Sequence, residues 1–507
     1  MNAILMTAAL LVAPGDGRIE MSLEECVRKV LTDNVGLHLS ALGNEARAAA
    51  VEEAFGAFDP ELYSSVTGAD REEPTASSFQ APRNQSLNGS LGLRGLFRSG
   101  LSYDLGYQLS FNRQSPTNPF FGFNPTFSSD LALNVTQPLL RGFGSTVTEA
   151  PVEQARLLLV RGDLELDAQL QETAFRAVEA YWTLVRSRKE RDTAETALEV
   201  AQELVRNNQK RLDAGVMTRL DVLTAQAEAA RRQETLIRAQ NGVGRSEDAL
   251  KLLLSPGANP ADWQGEIVPT SEAGVHEETL PAEEEVIVSA FSTRSDLRAL
   301  QVDLRAADLA LAVAEDGRRS RLDLRGSYGF AGLAGKQAGG ASKNNVDLWG
   351  ESLGQIRDRD FDQWSLGVDF SHAIGNRAGE AGERRAQIEK ERSLMALLER
   401  RMAIVQELRG ALRDVTDGAA AYQAARQARL LAEEQYQAEL TRLENEHSTT
   451  FQVREAQRDL FEARDRETAA ITQYEVLRAG LFRARGDLSG RYGVEVDIVE
   501  PEAGALH

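Results

Sequence analysis

The side chains of this chain with the most obvious chemistry are few and far apart. Cys26 is the only cysteine, and His38, His276, His372, His447 and His507 show no metal-ligand spacing. No Ser/His/Asp or Cys/His arrangement and no phosphate loop occurs, and the carboxylates are dispersed along helical stretches. No catalytic residue, metal site or cofactor is therefore expected, and the chain reads as a non-enzyme. One carboxylate stands apart. In "LDAGVMTRLDVLTAQ", Gly215 suits a helix C-terminus, and Thr218 with Asp221 reads as a capping box with Asp in place of Glu. An aspartate there is either the dipole partner of the next helix or, facing a water path, a group that attracts cations.

The elements around that turn must explain it. The chain has 507 residues, with 57 basic and 77 acidic side chains and a formal charge of -20. That sign excludes a nucleic-acid binder. The start, "MNAILMTAALLVAPGDG", has an apolar run from Ala3 to Ala13 before a Pro-Gly break. Its length suits a signal peptide, taken as 1–20, and is too short to span a bilayer. No other stretch approaches the ~18 uncharged apolar residues of a spanning helix, so a membrane would have to be crossed as a barrel.

The chain also matches itself. "LGNEARAAAVEEAFGAFDPELYSS" aligns without gaps on "VDLRAADLALAVAEDGRRSRLDLR", setting Ala46, Ala50, Ala54 and Leu62 on Ala306, Ala310, Ala314 and Leu322. Leu212, Thr218, Val222, Ala225 and Gln226 likewise match Leu443, Thr449, Val453, Ala456 and Gln457. Between them "LNVTQPLLRGFG" aligns on "LGVDFSHAIGNR", Gly142 on Gly375. Three matches in one order indicate a duplication: a first repeat over 21–254, a connector over 255–282, a second repeat over 283–490 and a tail over 491–507. Each repeat reads helix, strands, long helix, turn, long helix. The first helices run from Ser22 to Phe58 and from Glu283 to Arg318, and the long stretches from Pro151 to Leu253 and from Gly379 to Leu488. Each long stretch is broken mid-way by "DAGVMT" or "ENEHSTT". An arm of about 60 residues is roughly 90 Å long, more than a compact domain needs.

The sharpest pattern is "LSYDLGYQLSFN". Leu101, Tyr103, Leu105, Tyr107, Leu109 and Phe111 share one face; small and polar residues occupy the other. "LNGSLGLRGLF", "LDLRGSYGF" and "WSLGVDFS" alternate similarly, as does "DLALNVTQPLLRGFG". Such strands suit a sheet with one buried face or a membrane barrel, and the long arms favour the barrel. Leu131, Leu133, Val135, Leu105, Tyr107, Trp364, Leu366 and Val368 would face lipid. Gln137 and Pro138 end the ladder, and Gly142 and Gly375 turn the chain into the helices.

With "MSLEECVRKVLTDN", "VTQPLLRGFG", "IGNRAGEAGERRA", "RLDAGVMTRLDVLTAQ" and "RARGDLSGRYGVEV" in place, the chain from Met21 to Val496 resembles the outer-membrane efflux protein family, the TolC-type channel-tunnels. The resemblance implies a mainly α fold with a membrane β-barrel: a homotrimer that pools strands into one β-barrel in outer-membrane lipid of a Gram-negative bacterium and helices into one periplasmic α-barrel. It implies a passive channel of a tripartite efflux or type I secretion system. Its partners would be a periplasmic adaptor and, indirectly, an inner-membrane pump of RND or ABC type. The gate would lie at the helical tips: Gly215, Thr218 and Asp221, with Asp221 about two helical turns into its arm, and in the second repeat Gln452 and Glu455. Glu446 stands where the first turn has its glycine. Gly215, Val216, Thr218, Leu220, Thr449 and Phe451 would meet the adaptor. Four strands per chain would give a twelve-stranded trimeric barrel, as the family implies; insertion of the additional hairpin from Leu87 to Asn112 would give eighteen. The rival reading is a periplasmic coiled-coil adaptor or scaffold without a pore, which leaves "LSYDLGYQLSF" unexplained.

Overall fold

Ser22 opens the first helix with a reciprocal cap: its amide donates to Glu25 Oε2 at 2.9 Å, and the Glu25 amide donates to Ser22 Oγ at 3.3 Å. The computed structural model describes residues 17–74, 81–115, 122–259, 263–275, 281–337, 343–445, 447–496 and 498. Among these residues no helix is long and apolar enough to cross a membrane. The chain forms two compact units, and neither follows one repeat. Among the described residues, one comprises 17–45, 160–301 and 395–498; the other comprises 46–159 and 302–394.

The first unit is helical. A short parallel pair, β1 (Arg18–Met21) with β6 (Glu266–Pro269), sits beside it. Residues 1–16 of the expected signal segment lie outside the described residues, whereas Arg18, Ile19 and Glu20 belong to β1. The helices α1 (Leu23–Asp33) and α2 (Val35–Phe55) replace the single first helix expected from the sequence, and α6 (Glu283–Thr293) and α7 (Ser295–Arg318) replace its counterpart. Both break at one residue in extended geometry: Asn34 at φ -67°, ψ 119°, and Arg294 at φ -67°, ψ 117°. The alignment that sets Leu42 on Val302 also sets Asn34 on Arg294. Each break residue satisfies a carbonyl at the end of a long helix. Asn34 Nδ2 donates to Leu253 O at 2.9 Å, and Arg294 Nη1 to Ala484 O at 2.9 Å. Those carbonyls correspond too, since the alignment of Leu212 on Leu443 sets Leu253 on Ala484.

The long elements are α4 (Ala150–Asp213) and α5 (Arg219–Leu254), preceded by the one-turn α3 (Ser145–Thr148), and later α9 (Arg377–Glu444), α10 (Thr450–Arg485) and α11 (Leu488–Arg491). Ser255 ends α5 and Gly486 ends α10, both in the left-handed region at φ 51° and 84°. In the first unit, one core gathers Cys26, Val27, Val30, Ala174, Tyr181, Leu250 and Ile267; a second gathers Val286, Leu297, Ile404, Leu408 and Leu481. Burial pushes the Cys26 thiol up to about 12, so it packs as a small apolar group.

One acid in this unit makes a testable pH signature. Burial, and next the Glu190 carboxylate, push Asp465 up to about 6. A carboxyl raised on folding favours the protonated native state. Its stabilisation is therefore complete below the ordinary carboxylate value and is lost as pH rises through about 6. Asp465→Asn is expected to raise stability by about 1 kcal/mol at pH 7.5, a figure reduced for partial exposure, and by nothing measurable near pH 4. Denaturant midpoints at both pH values check this.

The second unit is built on one antiparallel sheet. Its strands are β2 (Glu61–Glu72), β3 (Arg83–Leu96), β4 (Ser102–Ser115), β5 (Thr126–Pro138), β7 (Arg321–Gly335) and β8 (Asp362–Ser371), in that spatial order. The hairpin from Leu87 to Asn112 therefore lies within the sheet, paired on both sides. Between β7 and β8 runs a helix that the sequence reading missed, α8 (Asn345–Asp358).

Candidate membrane sheet and helical tips

Ladder pairing decides which side chains share a face. Leu62, Leu93, Leu105, Leu133, Tyr328 and Trp364 form one row across all six strands. The neighbouring rows add Leu91, Tyr107, Leu131 and Phe330, then Tyr103, Val135, Gly326 and Leu366. All eight expected lipid-facing residues are thus on one face. Much of that face is exposed: Val66, Leu91, Leu133, Leu366, Val368 and Phe370 are open, and Trp364 is 74% accessible. An apolar surface of this extent calls for a covering medium or partner.

The opposite face is polar and small. Ser65 and Ser90 hydroxyls lie 2.8 Å apart, Ser110 Oγ donates to Asn88 Oδ1 at 2.7 Å, and Tyr63 Oη donates to Asp104 Oδ1 at 3.1 Å. Arg325 pairs with Asp369 at 2.5 Å. Glu61, Arg94, Asp104 and Asn134 line a groove at its helix-side end. A two-sided sheet, apolar on one side and polar on the other, matches the wall of a water-filled barrel.

Helix α8 interrupts the apolar face at its far end. Leu348 and Ser352 are buried beneath it, and Ser129, a polar residue on that face, is fully enclosed. A chain of hydrogen bonds satisfies these groups: Trp349 Nε1 donates to Tyr107 Oη at 3.0 Å, Tyr107 Oη lies 3.0 Å from Ser129 Oγ, and Ser129 Oγ lies 2.8 Å from Ser352 Oγ. Gly332 is required beneath the helix, because a Cβ there would lie 2.0 Å from Ser352 O. The hydroxyl of Tyr107 is consequently engaged by α8, while its ring remains on the apolar face. Where β7 runs past the end of β8, α8 and its following loop take over the exposed amides. Ala331 N donates to Phe361 O at 3.0 Å and Leu333 N to Gln355 Oε1 at 2.8 Å.

The junctions follow from two glycines. Gly142 and Gly375 adopt φ 81° and 80°, a region open to glycine at low cost. The Gly142 amide donates to Asp316 Oδ2 at 2.8 Å, and Gln137 Nε2 donates to Pro138 O at 2.9 Å. Pro138 is the last residue of β5.

At the first tip, Gly215 has φ 74° and the Val216 amide donates to Arg211 O at 3.0 Å, closing α4. Thr218 then caps α5: its amide donates to Asp221 Oδ2 at 3.0 Å, and the Asp221 amide donates to Thr218 Oγ1 at 3.4 Å. Asp221 therefore stands in the first turn of α5, not two turns in. The Thr218 hydroxyl and amide hold its carboxyl below the usual carboxylate value. Val216 and Leu220 are 75% and 71% exposed. At the second tip Thr449 caps α10 with Gln452, whose Oε1 accepts from the Thr449 amide at 3.2 Å. Phe451 is exposed, and Glu455 pairs with Arg458 of its own helix at 2.6 Å. Glu446 lies outside the described residues.

Residues 87–255 match the family model described as outer membrane efflux protein. This stretch, about a third of the chain, is similar to the outer membrane efflux proteins. No curated protein matches the chain by sequence. Among solved structures, the outer-membrane channel OprN aligns at 18% identity over 92% of this chain and 89% of its own, with a TM-score of 0.65. The CmeC outer membrane channel of Campylobacter jejuni aligns at 15% over 92% and 86%, TM-score 0.65. CusC, whose structures describe folding and transmembrane channel formation, aligns at 14% over 92% and 93%, TM-score 0.66. The fold is thus that of these channels: mainly helical, with one six-stranded antiparallel sheet. These three neighbours are themselves outer-membrane or transmembrane channels.

Proposed function

We propose that this chain is the outer-membrane channel of a tripartite efflux or type I secretion system, a passive homotrimeric conduit gated at its periplasmic helical tips. One observation carries the reading: a six-stranded antiparallel sheet with a broad apolar band on one face, a polar opposite face and, among the described residues, no partner strand at either edge. In lipid an open edge is prohibitive, so copies must pool their strands. A pore-free adaptor or scaffold would have no use for such a sheet. The duplication over 21–254 and 283–490 is part of the proposal. It is supported by the corresponding helix breaks at Asn34 and Arg294 and by the paired junction glycines.

The exposed apolar residues Val216, Leu220 and Phe451 suit docking of a periplasmic adaptor, with Gly215, Thr218 and Thr449 shaping the turns that present them. Through the adaptor the channel would reach an inner-membrane pump of RND or ABC type. The gate assignment rests on Asp221, with Gln452 and Glu455 near the second turn. Because Thr218 holds the Asp221 carboxyl low, the group keeps its charge well into acid, and three copies around an axis would attract cations. Asp221→Asn removes the charge while its amide oxygen still accepts from Thr218. The blocking concentration of a divalent cation in planar bilayers is expected to rise about tenfold, a difference of about 1.4 kcal/mol. Unchanged block would remove Asp221 from the gate.

A further inference from the structure

The edges of the sheet define how copies join. β2 and β8 are the outer strands, each open along almost its whole length. They are the first and sixth members of an alternating antiparallel sheet, so they run in opposite directions. Setting β8 of one copy beside β2 of the next continues the alternation without a parallel step.

Strand stagger fixes the level at which they meet. Along the row Leu62, Leu93, Leu105, Leu133, Tyr328, Trp364, the helix-side strand ends are Glu61, Leu96, Ser102, Pro138, Arg321 and Ser371. They stand one, three, three, five, seven and seven residues beyond the row. The opposite ends, Glu72, Arg83, Ser115, Thr126, Gly335 and Asp362, drift the same way, standing ten, ten, ten, seven, seven and two residues from it. A row perpendicular to the strands therefore climbs by about one residue per strand. That ratio of shear to strand number is the one that closes a barrel with a tilt of about 36°.

Carried one strand further, the row through Trp364 reaches the next copy's β2 six or seven residues above Leu62. Side-chain alternation admits only an even step, because an odd one would turn one copy's apolar face into the lumen. The step of six sets Trp364 opposite Gly68, Leu366 opposite Val66, Val368 opposite Ser64 and Phe370 opposite Leu62. Large side chains meet smaller ones, and Ser371 meets Glu61 where both strands end. Above the apolar band Asp362 meets Asp70, whose charge Arg83 already holds in a two-pronged pair.

We infer that β8 of one copy pairs with β2 of the next in this register, and that three copies close an eighteen-stranded barrel instead of a twelve-stranded one. The copy number rests on the trimeric channel proposed above; the register and the six strands per copy do not. At this tilt eighteen strands give a mean diameter of about 34 Å, against about 23 Å for twelve. The central hairpin β3–β4 thus widens the channel mouth.

Cross-linking across the polar face tests the register. In a Cys26→Ala background, Thr67→Cys with Ser365→Cys, and separately Ser65→Cys with Gly367→Cys, would be treated in membranes with a bifunctional thiol reagent of about 5 Å reach. Both pairs are expected to give covalent trimers on denaturing gels, while Thr67→Cys with Asp369→Cys, slipped by four residues, stays monomeric. Preferential linking of the slipped pair would overturn the register. Absence of linking in both matched pairs, with a trimer seen by native mass spectrometry, would overturn the eighteen-stranded closure and leave the channel reading standing. A sample with no trimer would overturn both.

Discussion

Arg294→Met is expected to destabilise the helical unit by about 3–5 kcal/mol, one of the two largest effects of any single substitution considered. The guanidinium is 9% exposed and all its bonds are made at one break between helices. Nε and Nη2 fork onto Asp296 at 3.0 and 2.8 Å, while Nη1 reaches both Glu407 at 2.8 Å and the Ala484 carbonyl at 2.9 Å. Arg400 Nε also donates to Asp296 at 2.7 Å, so that carboxylate keeps a partner. Methionine fills the volume but leaves the Ala484 carbonyl without this donor and weakens the compensation of two carboxylates. Arg294→Lys is expected to recover part of the loss, because it keeps the charge without the fork. Urea midpoints of the purified protein, wild type against both variants, measure this. A loss below 1 kcal/mol for Arg294→Met would make the network incidental.

Leu133→Arg should have the second large effect, this time on assembly. Leu133 lies near the middle of β5, between Thr126 and Pro138, in the row that crosses all six strands. A cation on a lipid face near the bilayer centre costs about 2–4 kcal/mol per copy, and each copy of a trimer would bear that cost. Heat-resistant oligomers in the outer-membrane fraction are expected to disappear. Asn134→Arg, one residue along and on the opposite face, should assemble normally. The reverse outcome, with Leu133→Arg tolerated and Asn134→Arg lost, would mean that the two faces are assigned the wrong way round.

Both expectations depend on features of unequal legibility in the chain. The face of Leu133 could be read directly, because "LSYDLGYQLSFN" and "DLALNV" alternate over several residues. The turn chemistry at Thr218 and Thr449 was readable for a similar reason: a capping box is a local motif whose partners are three residues apart. The break at Arg294 was not. Neither Asn34 nor Arg294 is proline or glycine, and each break is held by bonds to residues nearly two hundred or more positions away. Strand β2 was only half visible, since Ser64, Ser65, Thr67 and Gly68 dilute its alternation. Helix α8 carries Gly350 and Gly354 within fourteen residues, which weakens its helical pattern. Its reason for existing, a polar serine on an oily face and a length of β7 without a neighbour, appears only once the strands are paired.

That cover over the overhang of β7 has a consequence for how copies find one another. A sheet with three sticky margins could nucleate tangled aggregates on its way to the membrane. With the upper reach of β7 already occupied by Gln355 and Phe361, the described sheet is left with two open edges, β2 and β8. In the pairing inferred above, β8 of each copy meets β2 of the next, and a curved head-to-tail chain ends when it meets itself. By capping this overhang, helix α8 narrows the ways in which one copy could join another to the edges at β2 and β8.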